Sequence, residues 1–394
     1  MGEKISDRLW KKAGLMRIPL TGAFELLPMC NLQCKMCYVR KSREEVDAMG
    51  GLLSAEQWLF YAEQARDSGM LFPLLTGGEP FLRKDFCEIF SGMREMGLQI
   101  SINSNGTLID KEMAEWLGYH KPTRINITLY GASEESYQNL CGDGSAYSRV
   151  HEAVKWLKEY DVPVKFNTSI TSENIGDLEQ MIEYAKSVGS PLQAATYMFP
   201  PVRRDASMIG KNHRLSPEEA AYARVRADWL QNEPEWFLGQ VARYRRFVPL
   251  TEELLKELEE KKQPIEMHCR AGRCSFWLDW QGYLSSCGMY SHSRVALENK
   301  SFEEAWKEVV SETEEVRYSP ACTVCPNRAL CHSCIAMVYN ECGTVDGRPE
   351  YLCRMNAKAA ELYNEYAAKL PDASSQEVDA SLDEGSDTCL IDEL

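Results

Sequence analysis

The chain contains no run of eighteen apolar residues, which excludes a membrane-spanning helix. Its first residues, Met1-Gly2-Glu3-Lys4-Ile5-Ser6-Asp7-Arg8, lack the apolar core of a signal peptide. No long basic run is present and the net charge is −15, so neither nucleic acid nor a membrane is expected as a partner. Histidine is scarce, with six scattered residues and no metal-binding spacing. No internal repeat is visible. Residues 372–394 hold eight acidic side chains and no basic one. They also hold few large apolar groups, so this tail is expected to be disordered.

What the chain has in quantity is cysteine, fifteen in all. In an unsecreted protein these are not a disulfide framework, and their clustering in a reducing, cytoplasmic setting points to metal or iron–sulfur ligation. Cys30, Cys34 and Cys37 stand at x3 then x2 spacing. Three thiolates supply three ligands, and a cubic 4Fe–4S cluster has four irons, so one iron is left for a small molecule. Taken alone, three close cysteines also suit a partial zinc site. A second group comprises Cys269, Cys274 and Cys287, then Cys322, Cys325, Cys331 and Cys334, and finally Cys353. Cys87, Cys141, Cys342 and Cys389 are left over.

The first half alternates strand and helix patterns. Strands are expected at 23–27, 71–75, 99–104, 124–130, 164–170 and 192–198. Helices are expected at 54–68, 85–96, 110–119, 147–159 and 175–188. Each crossover is long enough for parallel pairing, and a parallel sheet places its ligand at the C-terminal strand ends. Ser54-Ala55-Glu56-Gln57 has the form of a capping box. The chain divides into four segments: a partial barrel at 1–210, a helical linker at 211–262, a cysteine-rich domain at 263–370 and the acidic tail at 371–394. Asp279 lies in an alternating strand and is expected on a hairpin surface.

The loop Pro28-Met29-Cys30-Asn31-Leu32-Gln33-Cys34-Lys35-Met36-Cys37-Tyr38, with Thr76-Gly77-Gly78-Glu79-Pro80 one strand later, closely resembles radical S-adenosylmethionine enzymes. The resemblance implies an α/β fold, a partial (β/α)6 radical-SAM barrel. It implies a 4Fe–4S cluster on Cys30, Cys34 and Cys37, with S-adenosylmethionine at the open iron. Met36 and Tyr38 would lie near the adenine. The turn of Gly77, Gly78, Glu79 and Pro80 would bind the cofactor by its methionine amino group, with Glu79 fixing the turn. Ser104 and Asn105 would approach the ribose or carboxylate, and Thr128 would face the cofactor. The second cysteine group resembles the C-terminal cysteine-rich SPASM domain, which implies two auxiliary 4Fe–4S clusters. Their ligands would be Cys269, Cys274, Cys287 and Cys334 for one, and Cys322, Cys325, Cys331 and Cys353 for the other. Cysteine pairs two residues apart also suit tetrahedral zinc.

The activity implied is cleavage of S-adenosylmethionine to a 5′-deoxyadenosyl radical that abstracts a hydrogen atom from a peptide or protein side chain. The first choice is a maturase of ribosomal peptides that installs a thioether or carbon–carbon crosslink. Alternatives are sulfatase-maturase-like formylglycine formation, epimerisation and small-molecule radical chemistry. A non-catalytic iron–sulfur or zinc scaffold is the alternative of another class. Cys141, in a loop after the fourth strand, is a candidate hydrogen donor. An external electron donor of flavodoxin or ferredoxin type is implied. A separate leader-binding protein is a further expected partner, since only 29 residues precede Cys30.

Overall fold

Helix starts are written locally into this chain. Ser42, Ser54 and Ser216 each cap a helix and complete a capping box with Glu45, Gln57 and Glu219, while Asp110 and Ser133 cap two more. The computed structural model describes residues 5–201, 203, 214–246, 251–260, 269–290, 292, 294–314 and 316–370. Its elements run α1 (Ile5–Met16), β1 (Thr21–Glu25), α2 (Arg43–Ala48), α3 (Ala55–Asp67), β2 (Phe72–Thr76), α4 (Phe86–Glu95), β3 (Ser101–Ser104), α5 (Lys111–His120), β4 (Arg124–Thr128), α6 (Glu134–Cys141), α7 (Ala146–Glu159), β5 (Val164–Ser169), α8 (Leu178–Ser187) and β6 (Leu192–Ala195). After α9 (Pro217–Gln231), α10 (Pro234–Arg246) and α11 (Glu252–Glu260) come β7 (Ser275–Leu278), β8 (Tyr283–Ser285), β9 (Val295–Ala296), α12 (Phe302–Glu314), α13 (Pro320–Thr323), α14 (Ile335–Cys342) and α15 (Glu350–Ala367).

The six expected strands are present and pair in parallel, in the order β6-β5-β4-β3-β2-β1. Their outward side chains, including Phe24, Ile102, Ile125, Ile127 and Phe166, are fully buried with Trp58, Phe86, Ile89, Leu117 and Leu157 of the surrounding helices. That continuous apolar layer is what a parallel sheet requires, because helices cover it. Four of the strands, β1, β4, β5 and β6, end earlier than expected: β4 stops at Thr128, which frees Tyr130 from the ladder.

The sheet does not stop at the barrel. β7 pairs in parallel with β1, Ala23 opposite Trp277, and the antiparallel strands β8 and β9 extend it to nine strands. The boundary expected near residue 263 therefore falls inside one hydrogen-bonded sheet. A buried ion pair reinforces the join. Glu25, at the end of β1 and fully buried, accepts from both guanidinium nitrogens of Arg203 at 2.8 and 2.9 Å and from Trp277 Nε1 at 2.8 Å. Asp279 corrects the sequence reading. It is buried, accepting from the backbone N–H groups of Gln281 and Tyr283 and pairing with Arg294, so it shapes the hairpin turn. The linker is helical as expected, with Pro217 opening α9 and α9 packed along α15. The acidic tail lies outside the described residues. No described helix is long and apolar enough to cross a membrane.

Candidate active site

A cavity of about 350 Å³ extends from the strand ends into the sheet interior. Cys30, Cys34 and Cys37 share its wall with Met36, Tyr38, Gly77, Gly78, Ser104, Asn105 and Thr128. Cys287 and Cys334, from the C-terminal cysteine group, line the same cavity. Residues separated by about 250 positions in the chain thus face one space, because β7 docks beside β1.

The cysteine loop is held at its back. Gln33 and Lys35 N–H groups donate to the carbonyls of Cys141 and Leu140 at the end of α6. Each loop sulfur meets a donor. Leu32 N–H and Asn105 Nδ2 point at Cys30 Sγ at 3.4 and 3.6 Å, and Arg40 N–H at Cys37 Sγ at 3.3 Å. Beside Cys34, Cys141 and burial hold the thiol well above its ordinary range, while the Tyr130 hydroxyl favours its thiolate. Burial pushes the Cys30 thiol up to about 12, and the charges of Glu79, Cys34 and Cys37 add to this against the Leu32 N–H. Thiols that resist ionising, as Cys30 and Cys34 do, gain from a cationic centre that takes them as thiolates. The donor set fits a cluster with three protein ligands and one open position. Among the described residues no three His, Cys, Asp or Glu side chains are arranged to hold a single metal ion.

The Gly77-Gly78 turn departs from the expectation in one respect. A Cβ on Gly77 would lie 2.4 Å from the Leu27 carbonyl oxygen, and one on Gly78 2.1 Å from that of Met29. The glycines let this turn dock on the backbone that leads into the cysteine loop, as well as bordering the cavity. Glu79 and Pro80 lie off the cavity wall. Glu79 is fully buried and accepts from Phe81 N–H (3.2 Å), Ser104 Oγ (2.9 Å) and Asn105 N–H (2.7 Å). Burial raises its carboxyl to about 7, against those hydrogen bonds. It therefore joins the turn to the end of β3, and neither Glu79 nor Pro80 borders the cavity as a cofactor-binding residue would.

Cys141 is corrected. It ends α6 rather than standing in a loop, is fully buried, and lies off the cavity wall. Its S–H donates to Tyr137 O at 3.0 Å, so no substrate reaches it. Cys87 packs in α4 as expected.

The C-terminal cysteines differ in their surroundings. Cys269, Cys287 and Cys334, together with Cys322 and Cys342, share one apolar cluster with Tyr290, Val316 and Ile335. Cys274 is instead buried against Ala13, Leu20 and Trp10 at the foot of the sheet. Burial raises the Cys322 thiol, and it feels the charges of Cys331, Cys353 and Cys325, with Arg328 opposing. Arg348 hydrogen-bonds Cys353. These four thiols are neighbours, and none of them lines the cavity.

Sequence reasoning missed several wall residues. Asn103, Asn167 and Gln193 contribute polar groups from β3, β5 and β6 and Tyr130 from just beyond β4, and His332 and Met289 come from the C-terminal half. Their inward positions are those that strand alternation would give, a signal present in the sequence. Among the described residues the wall carries no Asp, Glu, Lys or Arg.

Residues 24–185 match the family model of the Radical SAM superfamily. Over 335 residues, 82% of this chain and 92% of the relative, the sequence is 24% identical to the AdoMet-dependent heme synthase of Methanosarcina barkeri. A probable GTP 3′,8-cyclase of Saccharolobus solfataricus is 35% identical over 46% of this chain, which spans 56% of that protein. The subtilosin biosynthesis protein AlbA of Bacillus subtilis is 28% identical over 44% of this chain and 38% of its own length. Among solved structures, Streptococcus suis SuiB bound to S-adenosylmethionine aligns with a TM-score of 0.62 at 15% identity, covering 88% of this chain and 78% of SuiB. Native anSMEcpe with bound AdoMet aligns with a TM-score of 0.63 at 18% identity, covering 90% of this chain and 100% of the other.

Proposed function

Given that the chain belongs to the radical S-adenosylmethionine superfamily, we propose that it is an enzyme that oxidises an uncharged side chain of a peptide inside the cavity bordered by Cys30, Cys34, Cys37, Cys287 and Cys334. The observation that carries this reading is the wall itself. Its described residues are thiols, amides, hydroxyls, aromatics, aliphatics and methionines with one histidine, His332, and no Asp, Glu, Lys or Arg to match an ionised substrate group.

In this reading Cys30, Cys34 and Cys37 hold a 4Fe–4S cluster, and S-adenosylmethionine lies along Met36, Tyr38, Gly77, Gly78, Ser104 and Thr128. When bound and reduced by an external flavodoxin- or ferredoxin-type donor, that pair supplies a 5′-deoxyadenosyl radical for hydrogen abstraction. The protein's own contribution is position and exclusion. The glycine turn brings its backbone against the cysteine loop, Glu79 braces that turn on β3, and the apolar layer outside the sheet keeps water from the wall. Cys287 and Cys334, with Cys269 of the same apolar cluster, would hold an auxiliary cluster facing the substrate, and Cys274, buried in a separate apolar cluster, is the fourth ligand that the resemblance alone assigns to it. Cys322, Cys325, Cys331 and Cys353 would hold a second one further out. The count of three clusters gives about twelve irons. Such an arrangement suits net oxidation, in which a second electron must leave the substrate, as in thioether or carbon–carbon crosslinking. SuiB has been solved bound to its precursor peptide SuiA, which supports a peptide substrate by likeness of fold. A separate leader-binding protein belongs to this reading.

A second reading, radical chemistry on a small molecule, is favoured by the likeness to the heme synthase along 82% of the chain. The uncharged wall weighs against it, since heme-type substrates carry carboxylates. The deciding experiment incubates the anaerobically reconstituted, reduced protein with S-adenosylmethionine and either a short cysteine-containing peptide or an iron porphyrin carboxylate. Loss of two hydrogens from the peptide, with 5′-deoxyadenosine formed in step, is the expected result. Turnover of the porphyrin alone would establish the second reading.

A further inference from the structure

The family motif accounts for the three thiolates but not for the side chains aimed at them. Asn105 comes directly after β3 and is buried. Its amide cannot be turned round. Oδ1 accepts from Thr107 N–H at 2.9 Å and Thr107 Oγ1 at 2.6 Å. Nδ2 is therefore the end that reaches Asn31 Oδ1 at 2.9 Å and Cys30 Sγ at 3.6 Å. Asn31 Nδ2 closes the ring on Thr107 Oγ1 at 2.8 Å. A hydrogen-bonded ring thus spans the cysteine loop and the end of β3 and presents one N–H to a thiolate. Tyr130, released where β4 ends, is buried on the same cavity wall as Cys34, and its hydroxyl acts on that thiol.

A donor on a cluster thiolate withdraws charge from iron. The reduced cluster is more negative than the oxidised one and gains more from the donor, so the midpoint potential rises. Resting on the function proposed above, we propose that Asn105 and Tyr130 are positioning residues whose hydrogen bonds to Cys30 and Cys34 raise the reduction potential of the cluster that binds S-adenosylmethionine. The geometry also reassigns Asn105, whose Nδ2 is committed to Asn31 and Cys30 rather than to the ribose or carboxylate of the cofactor.

The test is an anaerobic redox titration of the full-length reconstituted protein, monitored by electron paramagnetic resonance. It uses the signal that changes when S-adenosylmethionine is added. Asn105→Ala and Tyr130→Phe should each keep that signal and lower its midpoint by about tenfold in the one-electron equilibrium, about 59 mV. Asn105→Asp, which turns an oxygen toward the sulfur, should lower it further. Tyr130→Phe keeps the ring and decides the matter if Asn105→Ala loses iron. Unmoved midpoints in loaded variants, or loss of the cluster from both, would overturn the inference. Absence of any responsive signal in the unaltered protein would instead overturn the proposed function.

Discussion

The two cysteine regions of this molecule are built on opposite plans. Around Cys30, Cys34 and Cys37, ligands only seven positions apart sit in one loop, and the surroundings come from distant strands: the Gly77 turn, Asn105, Tyr130 and α6. In the C-terminal half the ligands themselves are distant and the surroundings local. Cys287 and Cys334 reach the cavity from a hairpin and the start of α14, while Cys322, Cys325, Cys331 and Cys353 gather away from it. A loop that keeps its sulfurs together needs the fold only to orient them. A set that the fold must assemble is as stable as the fold itself, and under the proposed function metal binding there would be coupled to folding.

That contrast can be broken by substitution, most severely first. Replacing Cys30, Cys34 and Cys37 with Ala should remove about four irons and all cofactor cleavage while the far-ultraviolet circular dichroism stays unchanged, because the loop's backbone is tied to α6 independently of its sulfurs. Unfolding of this variant would show the loop cluster to be structural. Next in size, Cys334→Ala should abolish product formation more completely than Cys353→Ala, since Cys334 faces the cavity and Cys353 does not. Iron counts and circular dichroism must accompany both, and equal losses in folded variants would erase the distinction between the two sets.

The join between the regions can be tested on its own. Arg203→Met leaves the buried Glu25 carboxylate without its cation and should cost about 3–5 kcal/mol in denaturant unfolding. A change under about 1 kcal/mol would mean that the pair does not hold β1 and the C-terminal half together.

A smaller effect is expected from Glu79 and pH. Its carboxyl stands at about 7 in the fold against an ordinary value of 4.5. A raised carboxyl favours the fold fully below 4.5 and loses that advantage as pH rises toward 7. The apo protein should therefore lose about 3 kcal/mol from this group between pH 4.5 and 7.5. Glu79→Gln should be less stable at pH 5, having lost an acceptor for one backbone N–H, and should show a flatter stability between pH 5 and 7.5. Parallel pH profiles for the two proteins would remove the buried carboxyl as the cause. The smallest effect is expected from deleting residues 372–394, whose composition gives little to bury; iron content and cofactor cleavage should be retained.

Much of this is legible in the sequence because it is locally encoded. Ser54 and Gln57, the apolar run before Gly77 and the loop spacing of Cys30, Cys34 and Cys37 each announce themselves within a few residues. What is not legible depends on partners far apart. Nothing near Ala23 reveals Trp277 as its neighbour, and nothing near Glu25 reveals Arg203, 178 residues later. Cys141 misleads because its glycine-rich sequel suggests a loop, whereas Gly142 in a left-handed conformation ends a helix and leaves Cys141 buried on its last turn. Asp279 misleads because alternation cannot distinguish an exposed hairpin from one whose turn is buried under Arg294.

The central claim is that the two cysteine regions divide the labour, the loop generating the radical and the C-terminal sets taking up the electron that the oxidised substrate must lose. It is tested most directly by measuring 5′-deoxyadenosine formed by reduced, reconstituted Cys34→Ala and Cys353→Ala proteins side by side. None from Cys34→Ala, and an amount close to the unaltered protein from a folded Cys353→Ala, is the predicted result. Formation by Cys34→Ala at the unaltered rate would contradict it.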